Sequence, residues 1–283
     1  MSIILDGKKL AQKIKTGLKN EIEKLTTKPK IAVILVGENP ASQIYVKNKQ
    51  KMAEEIGIDS LILTLPNDIT EDNLIEHIHI LNEDKEINAI LVQLPLPEQI
   101  NTDRILEVID PLKDVDGFHP LNSGKLLSGK KPYAIPCTPK GIIRLLKEYD
   151  IKLEGINALV LGRSNIVGKP ISLLLQKENA TVTMAHSKTK NIKEHTKNAE
   201  LIISAIGKAN YITEDMVKND AIIVDVGISR IENKLYGDVD FDKIKDKASF
   251  ITPVPGGVGP MTIAMLMENT LELYKLQNHY NDK

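Results

Sequence analysis

The stretch "VLGRSNIVGKP", residues 160–170, decides the fold. It follows a short apolar run and precedes a second run that is typical of a helix. Strand, glycine-bearing turn and helix is the order in which dinucleotide-binding folds hold phosphate, because the free amides of a helix N-terminus attract anions. The spacing departs from G-x-G-x-x-G, since Ser164 replaces the second glycine and Gly168 comes one position late. An ordinary strand-to-helix loop is therefore the competing interpretation.

Strands and helices alternate on both sides of this stretch, which predicts βαβ units with parallel sheets. The rhythm breaks between Asp110 and Pro139, where Pro, Gly and Lys accumulate. We interpret this segment as the connection between two domains, whose cleft is the expected place for ligands. The predicted strands are 31–36, 60–65, 87–94, 156–161, 180–185, 201–206, 221–226 and 249–252. The predicted helices are 41–56, 71–82, 102–109, 139–149, 170–178, 191–198 and 261–277.

Composition narrows the class of protein. The 283 residues are 42% hydrophobic, which is enough for large cores, and the net charge of -1 offers no basic excess for nucleic acid. The N-terminus lacks a signal-peptide pattern, and the apolar runs are of strand length. The single cysteine, Cys137, fits a reducing compartment and is expected to be a small buried residue. We therefore expect a cytoplasmic protein without nucleic-acid or membrane partners.

The arginine inside the glycine turn has a chemical explanation. Lysine supplies almost all the cationic positions, so Arg163 is unusual in this chain. The strand that follows the turn ends in "HSKTK" from His186, with no acid of the kind that binds the ribose in NAD sites. Arg163, with Ser187 and Lys188, could hold a 2′-phosphate through bidentate bonds. This pattern favours NADP over NAD and leaves His186 open between a structural and a functional role.

A lysine interrupts the apolar face of the helix "SQIYVKNKQKMAEEI". On a helical wheel Tyr45, Met52, Ala53 and Ile56 share one arc, and Lys49 lies in the middle of it. One interpretation is that the stem of Lys49 packs while its amine reaches water. The other is a lysine that faces a ligand cleft and acts as a base.

Two further patterns are compatible with ligand chemistry. The buried-type strand in "AILVQLPLP" ends at Gln93, and ligands are expected at the carboxyl ends of parallel strands, although a core amide is the alternative. Asp116 lies in "DVDGF", where Asp-Gly also favours a simple turn. The loop "TPVPGGVGPMT", residues 252–262, precedes the last helix, and its glycines allow close approach of a flat ligand.

Together these motifs resemble the bifunctional methylenetetrahydrofolate dehydrogenase/methenyltetrahydrofolate cyclohydrolase family along nearly the whole chain. The matching stretches are "ASQIYVKNK", "VQLPLP", "DVDGFHP", "PCTP", "GRSNIVGKP", "HSKT" and "ITPVPGGVGPMT". The resemblance implies oxidation of 5,10-methylenetetrahydrofolate with NADP, followed by hydrolysis of the methenyl product to 10-formyltetrahydrofolate. It also implies a homodimer that acts on tetrahydrofolate derivatives in one-carbon metabolism and purine biosynthesis. Separately, we expect no metal site, because His77 and His79 would point to different faces of a helix and the other histidines are scattered.

The same resemblance implies a domain plan. Residues 1–138 would form an α/β folate-binding catalytic domain, completed by a C-terminal helix over 261–283. Residues 139–260 would form a Rossmann-like NADP-binding domain with a parallel sheet, and the cleft would lie between the two domains.

Residue roles are carried over by position. Lys49 is the implied catalytic lysine, Gln93 contacts and tunes it, Asp116 binds the pterin, and Tyr45 packs on the aminobenzoyl ring. Further substrate contacts are implied at Leu94, Pro95, Pro255, Gly256, Gly257, Val258 and Gly259. Cofactor contacts are implied at Gly162, Arg163, Ser164, Ile166, Val167, Gly168, His186, Ser187 and Ile228.

Two alternatives stay open at this point. One is an NADP oxidoreductase resembling shikimate dehydrogenase, which also combines a catalytic lysine with an NADP domain. The other is a non-catalytic NADP-binding module.

Overall fold

The computed structural model of the chain describes residues 2–232 and 234–281. It forms two compact α/β units, which confirms the predicted fold class. Unit 1 comprises Met1–Gln12 and Cys137–Thr262, and unit 2 comprises Lys13–Pro136 and Ile263–Lys283. In the described ranges, no helix is long and apolar enough to cross a membrane.

The strands are Ile3–Ile4 (β1), Lys30–Val36 (β2), Asp59–Leu65 (β3), Ala89–Val92 (β4), Asn157–Leu161 (β5), Thr181–Ala185 (β6), Leu201–Ser204 (β7), Ile222–Asp225 (β8), Ser229–Ile231 (β9), Lys234–Tyr236 (β10) and Phe250–Ile251 (β11). The α-helices are Gly7–Ile22 (α1), Pro40–Ile56 (α2), Glu71–Glu83 (α3), Thr102–Val108 (α4), Pro120–Leu127 (α5), Cys137–Glu148 (α6), Gly168–Lys177 (α7), Ile192–Asn198 (α8), Phe241–Ile244 (α9) and Val258–Asn281 (α10). A 3₁₀ turn covers Glu214–Met216.

Unit 2 is built on a three-stranded parallel sheet in the order β3-β2-β4. Strand β2 is apolar from residue 31 to residue 36, as expected for a strand in the centre of a sheet that is buried on both faces. The chain leaves β2 through α2 to reach β3, and then returns through α3 to β4 on the other side of β2. This reversal places a topological switch point at the carboxyl end of β2, where ligands bind in open α/β sheets.

Helix α2 begins at that carboxyl end, and local signals define its limits. The side chain of Asn39 caps the helix by accepting hydrogen bonds from the amides of Ala41 and Ser42, and Pro40 occupies the first turn. The helix ends at Gly57, whose φ of 87° is the left-handed conformation that glycine adopts without strain.

The interpretation of residues 110–139 as a connection between two domains is wrong for most of that segment. Residues up to Pro136 belong to unit 2, and the segment contains α5. Its start is tied to the sheet, because Asp114 forms a parallel bridge with Ile90 of β4. The buried amine of Lys113 donates to the carbonyls of Leu81, Asn82 and Asp84, which are free acceptors at the end of α3.

Unit 1 contains a six-stranded parallel sheet in the order β1-β11-β8-β7-β5-β6. Strand β5 leads through α7 to β6 on one side, and α8 then leads to β7 on the other side of β5. The switch point of this sheet is therefore the carboxyl end of β5, where the glycine turn begins. An antiparallel hairpin of β9 and β10 lies outside the sheet.

The two ends of the chain differ from the expected boundaries. The first residues were expected in the catalytic domain, but β1 pairs with β11 at the edge of the unit 1 sheet. Helix α10 begins at Val258 rather than at residue 261, because the glycine loop already turns into helix there. Of the expected terminal helix, Asp282 and Lys283 lie outside the described residues.

Candidate active site and nucleotide site

Lys49 lies on the inward face of α2. The face is formed by Ser42, Val46, Ala53 and Ile56, all buried, and Lys49 is half-buried between Val46 and Ala53. Its amine donates a hydrogen bond of 2.9 Å to Oε1 of a glutamine, Gln93. The lysine is thus directed at a polar partner inside unit 2.

Gln93 follows the last residue of β4 and is held on two sides. Its amide donates to the carbonyl of Ile34 on β2 at 2.9 Å, which extends the sheet pattern by one residue. Its side-chain Nε2 donates to the carbonyl of Leu94 at 2.7 Å. That second bond turns Oε1 towards Lys49, so the lysine amine meets a neutral acceptor in a fixed orientation.

The segment that carries Asp116 is held in place by hydrogen bonds of neighbouring side chains. Asp114 accepts hydrogen bonds from the amide of His119 at 2.8 Å and from Nδ2 of Asn122 at 2.9 Å. Burial raises the pKa of Asp114, against the lowering effect of these donors. Nδ2 of Asn269 donates to the carbonyl of Val115 at 2.9 Å.

These anchors determine the place of Asp116 in the sheet. Because Asp114 is level with Ile90, Asp116 is level with the end of β4, next to the carboxyl edge that carries Gln93. Its side chain is half-buried and has interactions of its own. Tyr45 lies at the margin of the Lys49 face, with 39% of its surface exposed.

The glycine turn of unit 1 is shaped for close backbone approach. A Cβ on Gly168 would lie 2.3 Å from the carbonyl oxygen of Gly162, and a Cβ on Gly162 would lie 2.5 Å from the carbonyl oxygen of Ala205. Ser164, in place of a second glycine, accepts from the amides of Val167 and Gly168 at 3.2 and 3.3 Å. The turn therefore sits tightly on the first turn of α7, the part of a helix that attracts anions.

The polar residues expected around a 2′-phosphate lie on this side of unit 1. Arg163 and Ser187 are exposed, at the ends of β5 and β6, which are neighbours in the sheet. The turn after β6 is closed by its own bonds, because His186 Nδ1 accepts from the amide of Lys188 and Thr189 Oγ1 accepts from the amide of His186. His186 thus has a local structural partner. Ile166 and Ile228 are also exposed.

The loop from Pro255 to Gly259 belongs to unit 1, whereas the other expected substrate contacts belong to unit 2. Gly256 has a φ of 111°, and its carbonyl accepts from the amide of Lys8 at 2.9 Å. A Cβ on Gly7 would lie 1.8 Å from the carbonyl oxygen of Gly257. The start of α1 therefore packs directly on this loop.

Two buried carboxylates of unit 1 were not expected from the sequence. Asp225 is 3% exposed and Asp238 is fully buried. Asp238 accepts hydrogen bonds from the amides of Ile206 and Lys208, in the loop next to the glycine turn, and Asp225 accepts one from the amide of Gly227. The only local signal is that each lies close to a glycine, Gly227 and Gly237. Cys137 is buried, as expected.

A glycine turn at the switch point of one parallel sheet, together with a lysine–glutamine pair at the carboxyl edge of another, defines a two-unit α/β enzyme that uses a dinucleotide. Residues 5–116 match the model of the tetrahydrofolate dehydrogenase/cyclohydrolase catalytic domain, and residues 136–278 match the NAD(P)-binding domain of the same family. The chain belongs to the tetrahydrofolate dehydrogenase/cyclohydrolase family.

Individual members of the family are similar to this chain over nearly its full length. The chain is 56% identical to the bifunctional protein FolD of Sulfurihydrogenibium sp., over 96% of this chain and 98% of the relative. The crystal structure of the bifunctional enzyme FolD of Campylobacter jejuni is 51% identical, with a TM-score of 0.96 and 98% and 99% coverage. The Trypanosoma brucei enzyme, solved with NADP cofactor and inhibitor, is 34% identical, with a TM-score of 0.93 and 97% and 98% coverage.

These matches confirm the family expected from the motifs and, with it, the class of bifunctional dehydrogenase and cyclohydrolase. They do not support the alternatives of a shikimate-dehydrogenase-like oxidoreductase or a non-catalytic module.

Proposed function

We propose that this chain oxidises 5,10-methylenetetrahydrofolate to 5,10-methenyltetrahydrofolate with NADP, and then hydrolyses the methenyl product to 10-formyltetrahydrofolate. The observation that carries the proposal is the 2.9 Å hydrogen bond from the Lys49 amine to Gln93, at the switch-point edge of the catalytic unit. A half-buried lysine held by a neutral amide there is placed for chemistry rather than for solvation.

The dehydrogenase step requires positioning above all. The carbon between the two folate nitrogens gives up a hydride, and NADP, when bound, supplies the hydride acceptor. The substrate becomes a cation, so the residues that hold it must keep the ring in place without adding a competing charge. Gln93 is uncharged and fixed by the carbonyl of Leu94. Asp116, in its anchored segment, is the proposed acceptor for the donor groups of the pterin.

The cyclohydrolase step requires a group that handles protons. Water attacks the methenyl carbon, one carbon–nitrogen bond of the ring opens, and a proton is released. In its unprotonated form the amine of Lys49 can accept a proton from the attacking water. General acid–base assistance of this kind is worth roughly a hundred- to ten-thousand-fold in rate. The group that accepts the hydrogen bond from the Lys49 amine is a neutral amide, the side chain of Gln93.

NADP is the proposed cofactor, held by unit 1. The pyrophosphate would lie on the first turn of α7, where Gly162 and Gly168 leave no room for a Cβ. Arg163 and Ser187 would hold the 2′-phosphate, since both are exposed at the ends of paired strands. The relative from Trypanosoma brucei was solved with NADP. Ile166, Val167, His186 and Ile228 are proposed as further contacts.

The remaining expectations complete the proposal. Tyr45, Leu94, Pro95 and the loop 255–259 are proposed as further folate contacts. The folate-binding domain would be the expected 1–138 with the terminal helix, without the first twelve residues, which belong to unit 1, and the NADP-binding domain would be 139–260. We further propose a cytoplasmic homodimer.

A spectroscopic assay with methylenetetrahydrofolate tests the function. NADP and NAD are supplied in parallel, and the absorbances of reduced nicotinamide and of the methenyl product are followed separately. Both activities together predict NADPH formation with little accumulation of methenyltetrahydrofolate. Absence of turnover with either cofactor would contradict the proposal.

A further inference from the structure

Two buried aspartates lie at the carboxyl edge of the unit 1 sheet. Asp225 is the last residue of β8, and Asp238 follows β10 by two residues. Their exposed fractions are 3% and 0%. Buried carboxylates are costly unless each oxygen is hydrogen-bonded, so their bonds show what they hold in place.

Asp225 joins the loop after β8 to the segment after β10. Its Oδ1 accepts from the amides of Gly227 and Asp238, both at 2.9 Å, and its Oδ2 accepts from the amide of Val239 at 2.9 Å. Its own amide donates to Oγ1 of Thr252 at 2.7 Å. All three acceptor bonds go to backbone groups, so the carboxylate fixes chain path rather than another side chain.

Asp238 holds the loop after β7 in the same way. Its Oδ2 accepts from Oγ of Ser204 at 3.0 Å and from the amide of Ile206 at 2.8 Å, and its Oδ1 accepts from the amide of Lys208 at 2.8 Å. These donors span five residues, so one carboxylate sets the course of the whole turn that leaves β7.

Glycines make room for both carboxylates. A Cβ on Gly227 would lie 2.1 Å from Oδ1 of Asp238, and a Cβ on Gly237 would lie 1.9 Å from Oδ2 of Asp225. Neither distance is compatible with a side chain.

The loop held by Asp238 directly adjoins the glycine turn. Strands β5 and β7 are neighbours, and the carbonyl oxygen of Ala205 lies 2.5 Å from the position that a Cβ on Gly162 would take. The loop held by Asp225 carries Ile228, one residue beyond Gly227. Asp238 therefore determines the backbone of the loop next to the glycine turn, and Asp225 supports it by accepting a hydrogen bond from the amide of Asp238.

We propose that Asp225 and Asp238 are positioning residues for the dinucleotide: Asp238 holds the loop 204–208 next to the glycine turn, and Asp225 holds the backbone at Asp238 and the loop 225–228 that carries Ile228. The inference rests on the proposed function only in naming NADP(H) as the ligand. It predicts that loosening these loops weakens cofactor binding without touching the groups that hydrolyse the methenyl substrate, because Lys49 and Gln93 belong to the other unit.

The test is Asp238→Asn, with Asp246→Asn as the matched control. Asp246 is an exposed aspartate of the same unit, so its change is chemically identical but remote from the loops. NADPH affinity is measured by fluorescence titration. Hydrolysis of methenyltetrahydrofolate is measured without any dinucleotide. We expect the NADPH Kd and the KM for NADP to rise roughly tenfold in Asp238→Asn, because an amide NH₂ replaces one acceptor of a charge-assisted bond. Hydrolysis should stay at the wild-type rate.

A milder variant protects the test against misfolding. Ser204→Ala removes one donor to Asp238 and leaves the carboxylate, and we expect roughly a threefold rise in the NADPH Kd. Wild-type NADPH affinity in both variants, or an equal fall in cofactor binding and hydrolysis in both, would overturn the inference. Wild-type protein that binds NADPH but turns over no folate would refute the proposed function alone, and the titration would still decide this inference.

Discussion

The chemistry available to Lys49 depends on its position in α2 rather than on its residue type. Lys47 and Lys51 belong to the same helix and are exposed, whereas Lys49 is half-buried and bonded to Gln93. Helical periodicity alone identified this difference, because the apolar face of an amphipathic helix packs against the core and a lysine on that face is drawn away from solvent. Its partner, Gln93, is 44 residues away in sequence, so helical periodicity could not predict the contact. Only the resemblance to the family implied it.

At the residue scale, Arg163→Ala should weaken NADP much more than NAD. Arg163 is exposed at the end of β5, beside the strand that leads to Ser187. Loss of a bidentate guanidinium–phosphate contact costs roughly ten- to a hundredfold in affinity for the cofactor that carries the phosphate. KM values for both cofactors would be compared in wild type and variant.

Arg144→Ala is the matched control for this prediction. Arg144 is an exposed arginine on α6 of the same unit, and its removal should leave the preference between cofactors unchanged. An unaltered NADP-to-NAD ratio in Arg163→Ala would count against the phosphate role.

Some residues could not be found from sequence because their partners are backbone groups. Asp225 and Asp238 are satisfied mainly by amides of loops, and any residue type supplies an amide. The same holds for Asn269, which bonds to the carbonyls of Val115 and Ile135. Neither periodicity nor motif spacing reports such bonds.

At the scale of elements, strands were predicted well where burial on both faces leaves only the first residue polar, as in β2 and β5. Helix α1 was missed because seven of the sixteen residues of "GKKLAQKIKTGLKNEI" are Lys or Gly. Its apolar positions, Leu10, Ile14, Leu18 and Ile22, nevertheless repeat every four residues and are buried. The apolar repeat is thus present in the sequence, but the many lysines around it are typical of a surface segment.

The contact between turn and helix predicts opposite effects for two glycines. Gly168→Ala should weaken NADPH binding, because its Cβ would lie 2.3 Å from the carbonyl oxygen of Gly162 and would push α7 away from the turn. Gly17→Ala is the control, since nothing lies within 4 Å of its Cβ in α1. Alanine there should stabilise the fold by about 0.5–1 kcal/mol through helix propensity.

Thermal unfolding and NADPH titration check both changes. Unchanged cofactor affinity in Gly168→Ala would show that the close approach of turn and helix is not needed for binding.

At the scale of the whole molecule, local sequence patterns predicted two α/β domains. They did not predict that the first residues belong to unit 1. That outcome depends on β1 pairing with β11, a strand nearly 250 residues away. Two-residue strands have no periodicity to recognise, so their pairing depends on tertiary structure alone.

The buried carboxylates predict a pH dependence of stability. Burial raises the pKa of Asp225 to about 7, from 3.8. Between these values the folded protein binds more protons than the unfolded chain, so this group's contribution is fully present below pH 3.8 and is lost as pH rises through 7. The difference amounts to about 4 kcal/mol. The raised pKa of Asp114 acts in the same direction.

Asp225→Asn should remove that dependence, because asparagine does not titrate. Unfolding by urea at pH 5 and pH 8 would show the variant losing less stability than wild type over this range, while Asp246→Asn follows wild type. Equal losses in Asp225→Asn and wild type would contradict the raised pKa.

The central claim is that Lys49 serves the hydrolysis of the methenyl intermediate, and one measurement tests it most directly. Wild type and Lys49→Met are given methylenetetrahydrofolate and NADP, and NADPH and methenyl absorbance are followed together against an enzyme-free blank. We predict that the variant still forms NADPH, at a reduced rate, while methenyltetrahydrofolate accumulates in equal amount. Hydrolysis of the methenyl product by the variant at the wild-type rate would contradict the account.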